Sequence, residues 1–336
     1  MENNLKVKVD VFIETFATLK KHYKWSVGDL SLRFIALVYV ISNKSFKKDE
    51  FDDMVKYIKK NSGLFSYYRG HNMYSIASLL ITKFDEPKEA FIKLKEYDEK
   101  MKERGFKKSS YLSIASYALL LTSEGDYIDE RIERSMELYK GMKKNHFWLT
   151  GTDDYPIAIL LSEKKENNDA LISEIEHNYD TLHREGFSRS NGLQFLSHLL
   201  TFAPTKSVQM KAQKTRSIYD RLKQDKFHVS STYYGILGFL SILGEHSEEA
   251  VEEVVEVVRY LKSNKNFKWT YKDMNVLAAT AIVSNKYIEK LSQSNELLQT
   301  GIGISIETMI AAQTAALIAA TSAAASANAA TASAGS

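Results

Sequence analysis

The sequence predicts an all-α fold, a right-handed α-solenoid of about seven antiparallel helical hairpins. Three observations carry that reading. Only 3 prolines and 15 glycines interrupt 336 residues, and apolar residues recur at helical rather than alternating spacing. Seven aromatic residues, Trp25, Phe65, Phe106, Phe147, Phe187, Phe227 and Phe267, follow one another at steps of 40, 41, 41, 40, 40 and 40. That step is the length of one helical hairpin, so the chain reads as a tandem repeat. Two further columns keep the same register. One is tyrosine: Tyr57, Tyr97, Tyr139, Tyr179 and Tyr219, with Tyr260 near the last phenylalanine. The other pairs a large aliphatic with a small residue, at Ile35-Ala36, Ile76-Ala77, Ile114-Ala115, Ile157-Ala158, Leu196-Ser197, Leu237-Gly238 and Leu277-Ala278.

Taken in chain order, a lone N-terminal helix over Val9 to His22 is expected to cover the first unit. Each unit then holds a short apolar helix and a longer charged one. Ser110 to Thr122 exemplifies the first; Glu86 to Arg104, with its stripe of Phe91, Leu94, Tyr97 and Met101, exemplifies the second. The small residue lets a neighbouring helix approach closely, and the tyrosine and phenylalanine fill the wedge towards the next unit. Pro87 and Pro204 suit helix starts, Ser110, Asp153, Ser190, Ser231 and Thr270 suit N-caps, and Gly63, Gly105 and Gly186 suit helix ends. The period lies between the tetratricopeptide and HEAT classes, nearer the second. The expected organisation is a capping helix in 1–25, one solenoid domain in 26–300, and an Ala/Ser-rich segment in 301–336.

That last segment carries no charge from Thr308 to Ser336. Ile302, Ile306, Met309, Ile310, Leu317 and Ile318 form a helical apolar stripe, read as a capping or self-association helix across 302–320 with a frayed end. Serine, threonine and asparagine dilute it too soon for a membrane span.

Bulk composition excludes more than it assigns. The formal charge is +3, too slight to argue for nucleic acid or a membrane surface. There are 0 cysteines, which rules out disulfides and thiolate chemistry and suits a reducing cytosol. Charged residues interrupt the N-terminus where a signal peptide would be apolar, so a cytoplasmic protein is expected.

No cofactor, metal set or catalytic residue can be named. Gly301-Ile302-Gly303 lacks the rest of a nucleotide fingerprint, and neither a HExxH nor a Gly-x-Ser-x-Gly motif is present. The densest group of candidate ligands, Glu176, His177, Asp180, His183 and Arg184, reads as a solvated helix face. Asp153-Asp154 before Tyr155-Pro156 reads as a helix cap, with a cation as the alternative. A basic charged helix (Lys44 to Lys60) and an acidic one (Glu245 to Glu256) could meet head to tail between copies. One edge offers a ligand ridge: Lys107, Lys108, Trp148, Arg189, His228, Lys268 and Trp269 all precede helix N-termini, where positive side chains and helix dipoles suit an anionic ligand such as an acidic peptide. The expected function is a non-enzymatic protein–protein interaction scaffold, with a protein or peptide partner. The alternative is a helical-repeat enzyme or anionic-ligand binder.

With the repeats, Lys24-Trp25-Ser26-Val27 and the Ala/Ser tail in view, the chain resembles a bacterial domain-of-unknown-function family, numbered four thousand and three and found mainly in Gram-positive bacteria. The resemblance covers nearly the whole length. It implies a cytosolic bacterial protein with no assigned activity and no functional residues to carry over.

Overall fold

Residues 1–64, 66–122, 127–268 and 272–292 are described in a computed structural model of the chain. Among them are fourteen α-helices and no strand. The first seven are α1 (Asn3–Tyr23), α2 (Asp29–Ile41), α3 (Lys48–Lys60), α4 (His71–Lys83), α5 (Pro87–Glu103), α6 (Ser110–Thr122) and α7 (Ile128–Asn145). The rest are α8 (Tyr155–Leu161), α9 (Asn168–Arg184), α10 (Asn191–Leu199), α11 (Val208–Gln224), α12 (Gly235–Ser241), α13 (Ser247–Ser263) and α14 (Lys272–Ser292).

The helices make two layers because their sequences differ in kind. Even-numbered helices are apolar all round: every residue of α8 and of α12 is buried, as is Ser31 to Ile41 in α2. Such helices need neighbours on every side and form the inner layer. Odd-numbered helices are amphipathic. In α7, Ile132, Met136, Leu138, Tyr139 and Met142 face inward while Glu130, Glu133, Glu137 and Lys140 face water. Each odd helix packs on the even helix that follows it. The small-residue column works between inner helices. A Cβ on Gly238 of α12 would stand 2.7 Å from Leu199 Cδ1 of α10, so any larger residue would force them apart.

The two ends of the array meet. α14 packs on α2, and α13 on α1. Phe267, last of the aromatic column, lies 5.3 Å from the rings of both Phe12 and Phe16 in α1. The Arg33 guanidinium of α2 sits 4.4 Å over Phe267 and donates to the Asn266 carbonyl at 2.7 Å. Polar contacts complete the seam: Tyr260 donates to Asp10 at 2.6 Å, Lys8 meets Glu289 at 2.8 Å, and the Met1 amine meets Glu256. Lys286 bridges Glu2 and Glu253. The open array expected from sequence is therefore closed into a ring. Its N-terminal helix is a member of the outer layer rather than a lid over a free end. The apolar faces that an open solenoid would leave bare at its two ends cover each other. The acidic helix expected to meet another copy is partly answered within the chain, by Met1, Lys286 and Arg221.

Local signals fared unevenly. Pro87 opens α5, Ser190 caps α10 by accepting the Leu193 N–H, and Gly105 and Gly186 end helices at φ +97° and +92°. Ser109 rather than Ser110 caps α6, and Ser207 rather than Pro204 begins α11. Asp153 and Ser231 lie in 3₁₀ turns ahead of α8 and α12, and Gly63 stands three residues beyond Lys60, where α3 ends. Thr270 and the segment 301–336 lie outside the described residues.

Candidate functional site

Every turn from an odd to an even helix lies at one end of the ring, here the amino end, because the inner helices all begin there. Contacts between successive turns show it: Ser230 donates to Asp273 at 2.7 Å, the Lys107 N–H to the Tyr155 hydroxyl at 3.1 Å, and the Ser188 N–H to the Tyr234 hydroxyl at 3.4 Å. The ridge residues Lys107, Lys108, Trp148, Arg189, His228 and Lys268 are all exposed on this end, and Trp269 lies outside the described residues. They do not converge on one pocket. They stand around the rim, one turn apart from the next.

The same end carries exposed apolar side chains besides Trp148, two of which sequence reasoning placed in the wedges. Trp25 is 91% exposed, Trp148 92%, Leu64 79%, Phe147 61% and Tyr67 51%. At the opposite end, where the odd helices begin, Tyr127 is 68% exposed, Met210 60% and Val7 52%, single residues on separate helices and without a tryptophan among them. Trp25 and Phe147 belong to the aromatic column expected to fill the wedges, and they do not fill them. At the first turn Tyr23 takes the buried place, 5.4 Å from the Phe51 ring.

The case of Phe147 is clearest beside its neighbours. In the wedge after α5, Phe106 packs 4.8 Å from Tyr155, which packs 4.9 Å from Tyr139. In the wedge after α9, Phe187 packs 5.6 Å from Tyr219 and 5.1 Å from Tyr234. Between them, after α7, the residue stacked on the column tyrosine is His146, 4.3 Å from Tyr179. The chain has slipped by one residue, so Phe147 and Trp148 turn outward, edge to face at 5.2 Å. Gln194 stands where the other wedges have Tyr155 and Tyr234, and donates to the Thr150 hydroxyl at 2.7 Å.

Polar groups gather behind this slip. His146 Nε2 lies 2.9 Å from Glu176 Oε2. His198, wholly buried on α10, has its Nδ1 3.8 Å from Asp154 Oδ1, too far for a hydrogen bond. Burial, with His146 nearby, holds the His198 pKa down at about 3. Asp154 accepts the Gly151 N–H at 3.0 Å, which is a capping role, yet burial and the adjacent Asp153 raise its carboxyl well above the ordinary range. Burial raises Asp153 too, against its hydrogen bond from Asn191. Both His198 nitrogens, Gln194 Oε1, Asn178 Oδ1 and Glu176 Oε1 are buried without a hydrogen-bond partner. Of the histidine-rich group read from sequence, only Glu176 turns inward here. His177 and Asp180 are exposed, and His183 Nδ1 contacts the Phe187 carbonyl at 3.0 Å.

Comparison with known proteins places the chain. A family described as "Protein of unknown function (DUF4003)" matches residues 15–315. The chain belongs to this family. It is similar to "Uncharacterized protein YeaA" of Bacillus subtilis (strain 168), 30% identical over 324 residues and covering 95% of each chain. No solved structure matches.

The one group of three acidic side chains close enough to share a metal ion, among the described residues, is Glu2, Glu249 and Glu253 at the seam. The Lys286 ammonium already lies 2.7 Å from Glu2 and contacts Glu253, so the group reads as a cage for that lysine. No described helix is long and apolar enough to cross a membrane. His146, Gln194 and His198 were missed in the sequence because the histidines are scattered along it. One signal was present: Gln194 interrupts a register that holds tyrosine at 155 and 234.

Proposed function

We propose that the protein is a non-enzymatic interaction protein that docks through the amino end of its ring onto a partner carrying negative charge. The observation that supports this is the slip at His146. Leaving a large aromatic ring in water rather than in a wedge forgoes about 1.5–3 kcal/mol. The chain forgoes it at Phe147 while using it at Phe106 and Phe187, and shows two aromatic rings on an end rimmed by cations. With the inner layer buried on all sides, the binding surface is a flat end and not a concave groove. We include the finer architecture in this proposal: seven right-handed copies of one hairpin, supported by three residue columns in a common register of about 40 residues. The test is affinity capture from native cytosol with the wild type beside a Lys107→Glu, Arg189→Glu, Lys268→Glu variant. An identical set of captured molecules removes the amino end from consideration.

A second reading has its own support. Each orphaned polar atom in the His146 wedge costs about 1–3 kcal/mol unless something fills its bonds. A small polar ligand beside Asp153 would do so, and raised carboxyl groups there suit acid–base chemistry. A thermal-shift screen of polar metabolites against wild type and His198→Leu tests it. No compound that stabilises the first and not the second would leave the wedge to ordered water.

A further inference from the structure

We infer that the partner of the amino end is an anionic lipid surface, onto which the ring settles flat through Trp25, Leu64, Tyr67, Phe147 and Trp148. This rests on the docking reading above and names its partner.

Placement comes first. These five side chains project from three separate turns, α1–α2, α3–α4 and α7–α8, with exposures from 51% to 92%. A peptide or a small ligand would meet one turn. A planar surface meets all three at once. Their chemistry fits the boundary between headgroup and acyl chain, where Trp and Tyr collect with lysine beside them. Here Lys24 Nζ stands 5.0 Å over the Trp25 ring and Lys143 Nζ 5.6 Å over Phe147. Leu64 has no flat face on which a nucleobase could stack. A single nucleic acid strand would also need a groove to follow, and the buried inner layer leaves none.

Charge complementarity gives the sign and the orientation. Lys24, Lys107, Lys108, Lys144, Lys226 and Lys265 are exposed at or beside the amino-end turns. At the other end, odd helices begin with Asp49 and Glu50, Asp129 and Glu130, and Glu248 and Glu249. Part of this follows from helix dipoles, which favour acids at N-termini and bases at C-termini. Because all odd helices point the same way, the per-helix preference adds into one basic end and one acidic end. The formal charge of +3 conceals that division. An anionic bilayer attracts one end and repels the other, so the aromatic end is the one presented. With no described helix able to span a bilayer, the attachment is peripheral.

The experiment is co-sedimentation of the full chain with vesicles of equal parts phosphatidylglycerol and phosphatidylcholine, beside vesicles of phosphatidylcholine alone. Binding is expected only to the first, with a blue shift in tryptophan emission. Trp25→Ser with Trp148→Ser should weaken partitioning about ten-fold. Lys24→Glu, Lys107→Glu and Lys108→Glu should each weaken it about five-fold or more. Ile92→Ser, an exposed apolar site on the outer side of α5, should leave it unchanged. Circular dichroism melts of each variant, all at exposed positions, check that the fold persists. No anionic-vesicle binding, equal binding to both vesicles, or tighter binding to a single-stranded oligonucleotide through the same residues overturns the lipid assignment. If vesicles fail but a cytosolic protein is held by wild type and lost with these variants, the docking reading survives with another partner. If neither depends on these residues, both fail.

Discussion

Phe187 and His146 occupy the same station in consecutive wedges, each stacked on a tyrosine of the next outer helix, yet they make opposite use of it. Phe187 is buried among Tyr219 and Tyr234, and the free hydroxyl of Tyr234 is satisfied by a backbone N–H. Nothing polar is left over. His146 brings Glu176 with it, and His198, Gln194 and Asn178 lie behind with unfilled hydrogen-bonding atoms. The first wedge contributes stability. The second gives some up, and in return displays Phe147 and Trp148 and keeps a reserve of titratable groups inside the ring. Each wedge packs chiefly against its neighbours, so the loss stays local to this one.

The largest expected effect lies in the apolar wedge. Phe187→Ala should destabilise the protein by about 3–5 kcal/mol, since it empties a ring-sized space between packed helices. His146→Ala should cost less, about 1–2 kcal/mol, because it removes a smaller contact and leaves Glu176 unpaired. Urea unfolding of the two variants measures the gap. Equal costs would mean that the wedges are energetically alike and that the slip has no consequence.

Acid should strike the polar wedge next. His198 is fully buried with its pKa depressed to about 3, so the unfolded chain takes up its proton near pH 6.5 while the folded chain does not. The stability it contributes is present above 6.5 and is lost as pH falls towards 3, at up to about 1.4 kcal/mol per unit. Asp154 works the other way. Its carboxyl is raised by burial and by Asp153, so the folded chain holds that proton more tightly and stability is lost as pH rises above the ordinary carboxylate range. His198→Leu should flatten the acid limb of a stability–pH curve, and Asp154→Asn should raise the neutral limb. His146 and Glu176 also face this wedge, so the curves should be repeated in a Glu176→Gln background. A curve that His198→Leu leaves unchanged would show that water already solvates the imidazole.

The all-α class was legible in the sequence. The helices and the wedge contacts of Phe106 and Phe187 depend on composition and on residues close in sequence, which local patterns report. Closure could not be read that way. It depends on Phe267 meeting Phe12 and Phe16, and on Lys286 meeting Glu2, pairs that no local pattern links. The ridge cations stand at one end because they sit in turns whose direction alternates strictly. The polar wedge was hidden for a different reason. A slip of one residue leaves the aromatic column intact on paper while exchanging Phe147 for His146 in space.

Reversing that exchange should act more gently. His146→Phe combined with Glu176→Leu would rebuild the aromatic wedge and replace a half-buried polar contact with apolar packing. A gain of about 1–2 kcal/mol in urea unfolding is expected. A loss would mean that the histidine is there for packing.

Trp148→Ser should have the smallest effect on folding and therefore be the most informative about function. At 92% exposure the indole has little packing to lose, so stability should move by less than about 0.5 kcal/mol. Phe187→Ala changes folding and docking together and cannot separate them. Trp148→Ser leaves the wedge, the seam and the charge distribution as they were, and removes only the ring that the slip turned outward. If the slip exists to display that ring, vesicle partitioning should fall while the melting curve stays in place. If both stay in place, the cost of the polar wedge must be justified from inside the ring, by what fills the space beside His198 and Gln194.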